Sequence, residues 1–283
     1  HRLAFAGHPV ELAGVAVAGV GRLIPSDAAI EAAFVLDQGY VHPYSRHETS
    51  LVDGGELLPD LLCLAGRPRC CPGRWRFGHI DVGLTQDCLG FAILHVHAVK
   101  EVLRLSDDPD KHGQTILRPQ PVFRVDLALR VLPPRNGEIR LGDVENLVYQ
   151  LQEAGVRFGY VSTDSFQSSQ LRQNFTTHGI ASDKVSLDRT PEHYLAFRDA
   201  VEEGRFECYP CPPLRDEMRS LIFYRNLGKV DHPPSGRKDL VDAAAGALSQ
   251  ALKWDFAGGA QAPKVRLTVL GDNVSQASGF RFL

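Results

Sequence analysis

Residues 77–84 read Phe-Gly-His-Ile-Asp-Val-Gly-Leu, an extended apolar run that contains a single acid, Asp81. Gln86 and Asp87 mark a turn, and a second apolar run follows at Leu89–Val96. Two such runs joined by a turn predict a β-hairpin. A lone charge in an apolar strand costs several kcal/mol unless it is paired or metal-bound, so Asp81 is the first candidate for a functional residue.

The following segments extend this hairpin into a larger sheet. Apolar and polar residues alternate along Phe123–Val131, which predicts a third strand with one solvent-facing side. Periodicity, caps and turn residues predict the remaining elements. We expect a helix that Asp143 caps and Gly155 ends, and further helices at 165–178, from Thr190-Pro191, around 214–222 and at 238–254. We expect further strands at 156–161, 184–187 and 265–270. Three consecutive strands followed by alternating helices and strands predict an α/β protein with a ribonuclease H-like mixed sheet and helices on both faces.

The domain organisation is predicted from a change in composition. Residues 1–75 hold short apolar segments, repeated Gly and Pro, and one predicted helix at about Ser26–Leu36, so we expect a connector or the remnant of a preceding domain. Residues 76–255 hold the predicted sheet domain, and residues 256–283 form a C-terminal strand and tail.

Composition and charge narrow the class of protein. The 283 residues are 43% hydrophobic and 23% charged, with a formal net charge of -3. These values are typical of a globular chain, and they exclude a strongly basic nucleic-acid coat but not a local basic groove. The chain begins with His1 and its only methionine is Met218, so we expect a piece of a longer protein or a processed form. Six cysteines are sparse for a disulfide scaffold of this length, so we expect them to be reduced and cytosolic. Cys208-x-x-Cys211 has no second such pair to complete a zinc site, which favours small buried cysteines.

Three further acids stand out by position. Asp164 follows the predicted fourth strand, and parallel-sheet proteins place functional groups at such strand ends. Asp239 and Asp242 lie on the last predicted helix. At about 100° per residue, Asp242 lies near ~300° and Gly246 near ~340° from Asp239, so the three share one side of the helix. The opposite side of this helix is aliphatic and consists of Val241, Ala245, Leu248 and Leu252. The small residues 243–246 allow the helix to approach a sheet closely.

Converging carboxylates require a counter-charge. Hard divalent cations such as Mg²⁺ or Mn²⁺ prefer all-oxygen sites, and two such ions ~3.5–4 Å apart support phosphodiester hydrolysis. Each acid also has an ordinary interpretation, because Asp239 and Asp242 could offset a helix dipole and Asp164 could be a helix cap. The fold brings the three sites together, which favours a shared metal site.

Three motifs resemble the nuclease domain of large terminase subunits from tailed bacteriophages. Residues His79–Ala92 are similar to its opening strand and turn, and Val161–Ser168 to its second acidic motif. Residues Lys229–Ala247 are similar to its third motif. The three occur in the family's order, and together they are specific.

The resemblance implies a metal-dependent endonuclease that cuts concatemeric double-stranded DNA during genome packaging in the host cytoplasm. It implies Mg²⁺ or Mn²⁺ as cofactor, with Asp87 as an accessory acid. Arg237 and Lys238, beside the acids, are the candidate DNA contacts. The implied metal ligands and catalytic residues are Asp81, Asp164, Asp239 and Asp242, with the choice between the last two open.

The same resemblance implies partners, and alternatives stay open beside it. Full-length large terminases carry an ATPase motor and work with a portal protein and a small terminase. This sequence lacks the motor's phosphate-binding loop, so residues 1–75 would be the connector or remnant of that motor. The alternatives are a resolvase- or transposase-like nuclease of the same fold, and a non-catalytic DNA- or portal-docking module.

Overall fold

The structure is a computed structural model, and it describes residues 19–34, 48–49, 73–83, 88–105, 114–135, 137–153, 155–164, 168–187 and 189–254. Its strands are β1 (Val20–Arg22), β2 (Glu48–Thr49), β3 (Arg76–Asp81), β4 (Leu89–Leu105), β5 (Thr115–Val131), β6 (Phe158–Thr163), β7 (Phe206–Glu207), β8 (Ile222–Tyr224) and β9 (Lys229–Asp231). Its helices are α1 (Asp27–Ala33), α2 (Leu141–Glu153), α3 (Ser169–Thr177), α4 (Glu192–Glu202), α5 (Pro212–Ser220) and α6 (Asp239–Leu252). The predicted strand at 265–270 and the predicted accessory acid Asp87 lie outside the described residues.

One mixed sheet organises the described chain. β3, β4 and β5 form an antiparallel meander, and β6 lies beside β3 and runs parallel to it. A parallel bridge between Thr163 and Lys184 continues the sheet beyond β6, and β5 pairs in parallel with β2 and β7 on its other edge. A meander of three strands with a parallel fourth strand beside the first is the strand order of the ribonuclease H-like fold. The predicted fold class is confirmed.

Helices cover both faces of this sheet. Side chains alternate between faces along a strand, so neighbours on β3 contact different helices. Ile80 lies in the buried core that the sheet shares with α2 and α3, whereas the ring of His79 lies against Gly246 of α6. α4 in turn contacts α6. Large side chains of the first core include Phe91, Ile93, Leu129, Val148, Leu151 and Phe175.

The two central strands are longer than predicted. β4 and β5 each span 17 residues, because pairing continues from Ala98 opposite Val122 to Leu105 opposite Thr115. Pro119 and Pro121 argue against a strand there, since proline cannot donate to a neighbouring strand. In the structure no described strand pairs with the outer edge of β5 at these two prolines, so the missing donors cost little.

Other boundaries also differ from the predictions. α2 begins at Leu141, so Asp143 lies within the first turn instead of capping the helix, a position where an acid also favours the helix dipole. The predicted strand at 184–187 reduces to the single bridge at Lys184. Arg130, predicted on a solvent-facing side of β5, is buried because carboxylates of α5 and α6 lie against it.

A small antiparallel sheet, in the order β1–β8–β9, was not predicted, because three-residue strands carry no readable periodicity. β1 therefore pairs with a strand from the predicted sheet domain, as β2 does. α1 is confirmed, with the Ser26 hydroxyl accepting the Ala29 N–H at 3.0 Å. The domain boundaries stay predictions. Among the described helices, none combines the length and the apolar character needed to cross a membrane.

α6 lies closest to the sheet at two glycines. A Cβ atom on Gly246 would lie 2.2 Å from Cγ of His79. A Cβ atom on Gly90 of β4 would lie 1.9 Å from the carbonyl oxygen of Asp239. Both distances are far below van der Waals contact, so these positions accept only glycine while the helix stays in place. The predicted close approach of α6 to the sheet is confirmed.

Gly246→Ala should destabilise the protein by about 1–3 kcal/mol, because the added methyl group overlaps the buried His79 ring. Helix propensity alone would favour alanine over glycine by about 1 kcal/mol. The expected decrease in the free energy of unfolding is therefore opposite in sign to the effect of helix propensity. Denaturant unfolding measures the change. The matched control is Gly142→Ala on α2, where no atom lies within 4 Å of the added carbon and a small gain is expected. Equal stabilities of the two variants would contradict the close contact.

Candidate active site

The spacing of residues on α6 matches the spacing on β3. Four residues of a helix rise about 6 Å, and two residues of a strand rise about 6.6 Å. Gly246 lies over His79, and Asp242, one turn earlier, therefore lies over Asp81. The His79 ring is fully buried, its Nδ1 lies 2.8 Å from the Ser162 hydroxyl, and burial lowers its pKa to about 3. A neutral imidazole ring therefore fills the contact between β3 and α6 next to Asp81 and Asp242.

Asp164 joins this pair because β3 and β6 are parallel neighbours. Ile80 pairs with Thr163, so the residues that follow each of them leave the sheet side by side. The Val82 N–H donates to Asp164 Oδ1 at 3.0 Å, and the Asp164 N–H donates to the Ile80 carbonyl oxygen at 3.3 Å. The Asp164 carboxylate is therefore held at the carboxyl end of β3, next to Asp81.

Three carboxyl groups interact at this point. The pKa of Asp81 is raised well above its ordinary value by burial first, and then by the negative charges of Asp242 and Asp164. A hydrogen bond with Asp164 raises it further, and the ammonium group of Lys238 opposes the shift. Asp81 therefore retains a proton to higher pH than an ordinary aspartate when no other cation is present.

Asp242 is held by two polar neighbours. It is 3% exposed, and its Oδ1 accepts a hydrogen bond from the Tyr194 hydroxyl at 2.6 Å. Lys238 Nζ donates to the other oxygen and lies 3.3 Å from the same hydroxyl. Lys238, which was predicted to contact DNA, thus lies among the carboxyl groups of Asp81, Asp164 and Asp242 and is a counter-charge to Asp242.

Asp239 has a different neighbourhood from Asp242, although both lie on the first turn of α6. Its Oδ2 lies 3.4 Å from Nε of Arg130. After burial, the charges of Asp242 and Asp164 are the largest effects that raise the pKa of Asp81. The geometry therefore brings Asp81, Asp164 and Asp242 together and places Asp239 beside the guanidinium group.

The remaining predicted DNA contact, Arg237, is directed at the sheet. Its Nη1 donates to the Cys88 sulfur at 2.8 Å, at the start of β4. Burial raises the pKa of the Cys88 thiol, so a neutral thiol accepts this bond. Arg237 therefore lies next to the acidic group without an ion pair to Asp242 among its described contacts.

Sequence reasoning missed Tyr194, Arg130 and Glu217. Tyr194 has the sequence pattern of an ordinary core aromatic residue on the apolar side of a helix. Arg130 lies at a polar position of an alternating strand, where a solvent-facing side chain is expected. Glu217 is 4% exposed, and burial raises its pKa to about 7, while the Arg130 charge lowers it. An acid on the apolar side of α5, one residue before Met218, is the sequence signal that could have identified it.

The donor set fits a hard divalent cation, although the described side chains are not arranged around one. Within residues 19–254, among those described, no three His, Cys, Asp or Glu side chains stand in a ready metal-holding geometry. The carboxylate of Asp242 accepts hydrogen bonds from Lys238 and Tyr194, and the carboxyl group of Asp81 interacts with that of Asp164. These contacts occupy oxygens that would otherwise face a cation. Three neighbouring carboxyl groups, of which Asp81 has its pKa raised by burial and by the other two, offer the oxygen ligands that a hard divalent cation prefers.

Comparisons with known proteins give structural likenesses only. No protein-family model and no curated protein matches the chain. The large terminase nuclease from thermophilic phage G20c is 18% identical, with a TM-score of 0.45, over 65% of this chain and 84% of that one. The large terminase nuclease domain of Thermus phage P74-26 is 17% identical, with a TM-score of 0.44, over 65% and 81%.

The large terminase of bacteriophage HK97 is 12% identical, with a TM-score of 0.47. That likeness covers 82% of this chain but 44% of the HK97 protein, so the chain spans less than half of its length. These three solved structures are thus of a large terminase and of two large terminase nucleases.

Proposed function

We propose that the protein is a metal-dependent endonuclease that hydrolyses phosphodiester bonds of double-stranded DNA. The observation that carries this proposal is the convergence of Asp81, Asp164 and Asp242 from two parallel strand ends and a helix, with the pKa of Asp81 raised by burial and by the charges of the other two. Groups of acids with perturbed proton affinity are typical of functional sites.

Asp81, Asp164 and Asp242 would hold Mg²⁺ or Mn²⁺, and we propose a two-ion site. Bound ions of this kind supply the charge that activates a water and stabilises the leaving 3′-oxygen of a phosphodiester. The chain's own residues fix the ligands: the Val82 N–H orients Asp164, and the Tyr194 hydroxyl orients Asp242. Asp239, beside Arg130, is assigned to holding the helix instead.

Lys238 and Arg237 would meet the DNA backbone near the acids. The formal net charge of -3 is compatible with this, since bound ions neutralise the acid group and phosphate contacts need only local cations. Lys238 would also balance Asp242 before the ions bind, which its present contact supports.

The biological substrate we propose is concatemeric viral DNA during genome packaging inside the host cell. The three motifs support this, because they occur in the order found in large terminase nucleases. The partners would then be the ATPase motor, the portal protein and the small terminase.

Asp81→Ala and Asp164→Ala should each lose Mn²⁺- or Mg²⁺-dependent nicking of plasmid DNA by about 10²-fold or more, because each removes a proposed ligand at the strand ends. Agarose gels of supercoiled plasmid measure the conversion to nicked and linear forms. Cleavage that persists in both purified variants would contradict the site. A wild-type protein that binds DNA but never cuts it would favour the docking module.

Asp242→Asn and Asp239→Asn form a matched pair, since both change an acid to an amide on the first turn of one helix. We expect Asp242→Asn to abolish nicking, whereas Asp239→Asn should retain activity within about tenfold, because Asp239 lies beside Arg130, whereas the charge of Asp242 acts on Asp81. The same plasmid assay compares them. Loss in Asp239→Asn with activity kept in Asp242→Asn would reverse the assignment.

Asp81→Asn should stabilise the metal-free protein above neutral pH. A carboxyl pKa that is raised in the folded state adds stability below the unfolded value of 3.8, and this stability is lost as pH rises through the folded pKa. The amide avoids that loss, so its gain over wild type should grow with pH and reach at least about 2 °C in Tm. Thermal unfolding in EDTA at pH 5 and pH 8 measures the difference. The control is Asp216→Asn, whose side chain is 70% exposed, and a gain of equal size in both variants would contradict the coupling at Asp81.

A further inference from the structure

The first turn of α6 is capped by a side chain from another helix. A helix begins with backbone N–H groups that have no partner within the helix. The residue before α6, Lys238, makes no capping bond with its side chain. Instead Oε2 of Glu217, on α5, accepts hydrogen bonds from the N–H groups of Leu240 and Val241, both at 2.9 Å.

Arg130 holds this capping carboxylate from the sheet side. One guanidinium nitrogen of Arg130 donates to Oε1 of Glu217, and another donates to Glu48 of β2. Its Nε lies 3.4 Å from Asp239 Oδ2, and Arg130 is 6% exposed. A buried arginine with three carboxylate neighbours thus ties β5 to α5, to α6 and to β2.

The capped turn is the one that carries Asp242. The Asp242 N–H donates to the Lys238 carbonyl oxygen at 2.8 Å, so this residue closes the first turn. Gly90 admits the Asp239 carbonyl against β4 with no side chain between them. A shift of the first turn therefore moves the Asp242 carboxylate relative to Asp81, since no flexible linker separates them.

We infer that Glu217, held by Arg130, is a positioning residue that sets the place of Asp242 through the backbone of α6. The inference rests on the proposed function, because it concerns a proposed metal ligand. Glu217 touches no proposed ligand side chain among its described contacts, and it acts only through the two N–H groups.

The test compares Glu217→Ala with two controls. Leu147→Ala removes buried volume on α2, against the opposite face of the sheet, so it weakens the fold without touching α6. Glu217→Gln keeps an oxygen that can accept the two N–H bonds but loses the ionic bond to Arg130. Two readouts are measured on the full chain: amide hydrogen exchange of residues 240 and 241 without metal, and Mn²⁺ affinity by calorimetry.

We expect Glu217→Ala to accelerate exchange at 240 and 241 and to weaken Mn²⁺ binding by about 10–100-fold, the effect typical of residues that orient metal ligands. Leu147→Ala should leave both unchanged, and Glu217→Gln should recover part of each. Unchanged exchange in Glu217→Ala overturns the inference, and so does faster exchange with wild-type Mn²⁺ affinity. A wild-type protein that binds no Mn²⁺ would overturn both the proposed function and the role of Glu217 in positioning a metal ligand. A wild-type protein that binds Mn²⁺ but does not cut DNA would overturn only the proposed reaction.

Discussion

The contact between α6 and the sheet determines the rest of the site. At Gly90 and Gly246 the helix backbone reaches the strands with no side chain between them. Larger residues at these two positions would move the helix away from the strands, and Asp242 with it. The close approach lets one short carboxylate, Asp242, reach the end of β3, and it buries nearly all of α6.

Two acid groups lie along the first turn of this helix, and they are balanced differently. Glu48, Glu217 and Asp239 surround Arg130, whose guanidinium stays charged at any accessible pH and donates to Glu48 and Glu217. Asp81, Asp164 and Asp242 lie near the ammonium group of Lys238, which donates to Asp242. Each group has three carboxyl groups for one basic side chain, but Glu217 in the first also accepts two backbone N–H bonds at the helix start, whereas the pKa of Asp81 in the second is raised by burial and by its two acidic neighbours. That difference favours a structural role for the first group and cation binding for the second.

The sequence pattern predicted the sheet, the last helix and the candidate acids, but it could not decide between the two acids of the helix or find their tertiary partners. The lone acid in an apolar strand, the acid at a parallel strand end and the small-residue helix identified Asp81, Asp164 and α6. About 60° of helical rotation separates Asp239 from Asp242, which is too little for periodicity to decide between them. The decision depends on Gly90, which fixes where the first turn meets β4. Tyr194 and Glu217 escaped detection because their roles come from tertiary neighbours, and periodicity reports only which side of an element is apolar.

The central claim is that Asp81, Asp164 and Asp242 form one divalent-cation site. The most direct measurement is a crystal structure grown with Mn²⁺, in which anomalous scattering locates the ions independently of the protein atoms. The account predicts a strong peak bounded by these three carboxylates, with Lys238 moved away from Asp242 and Asp239 still beside Arg130. Absence of a peak there at saturating Mn²⁺, or a peak ligated by Asp239 in place of Asp242, would contradict it.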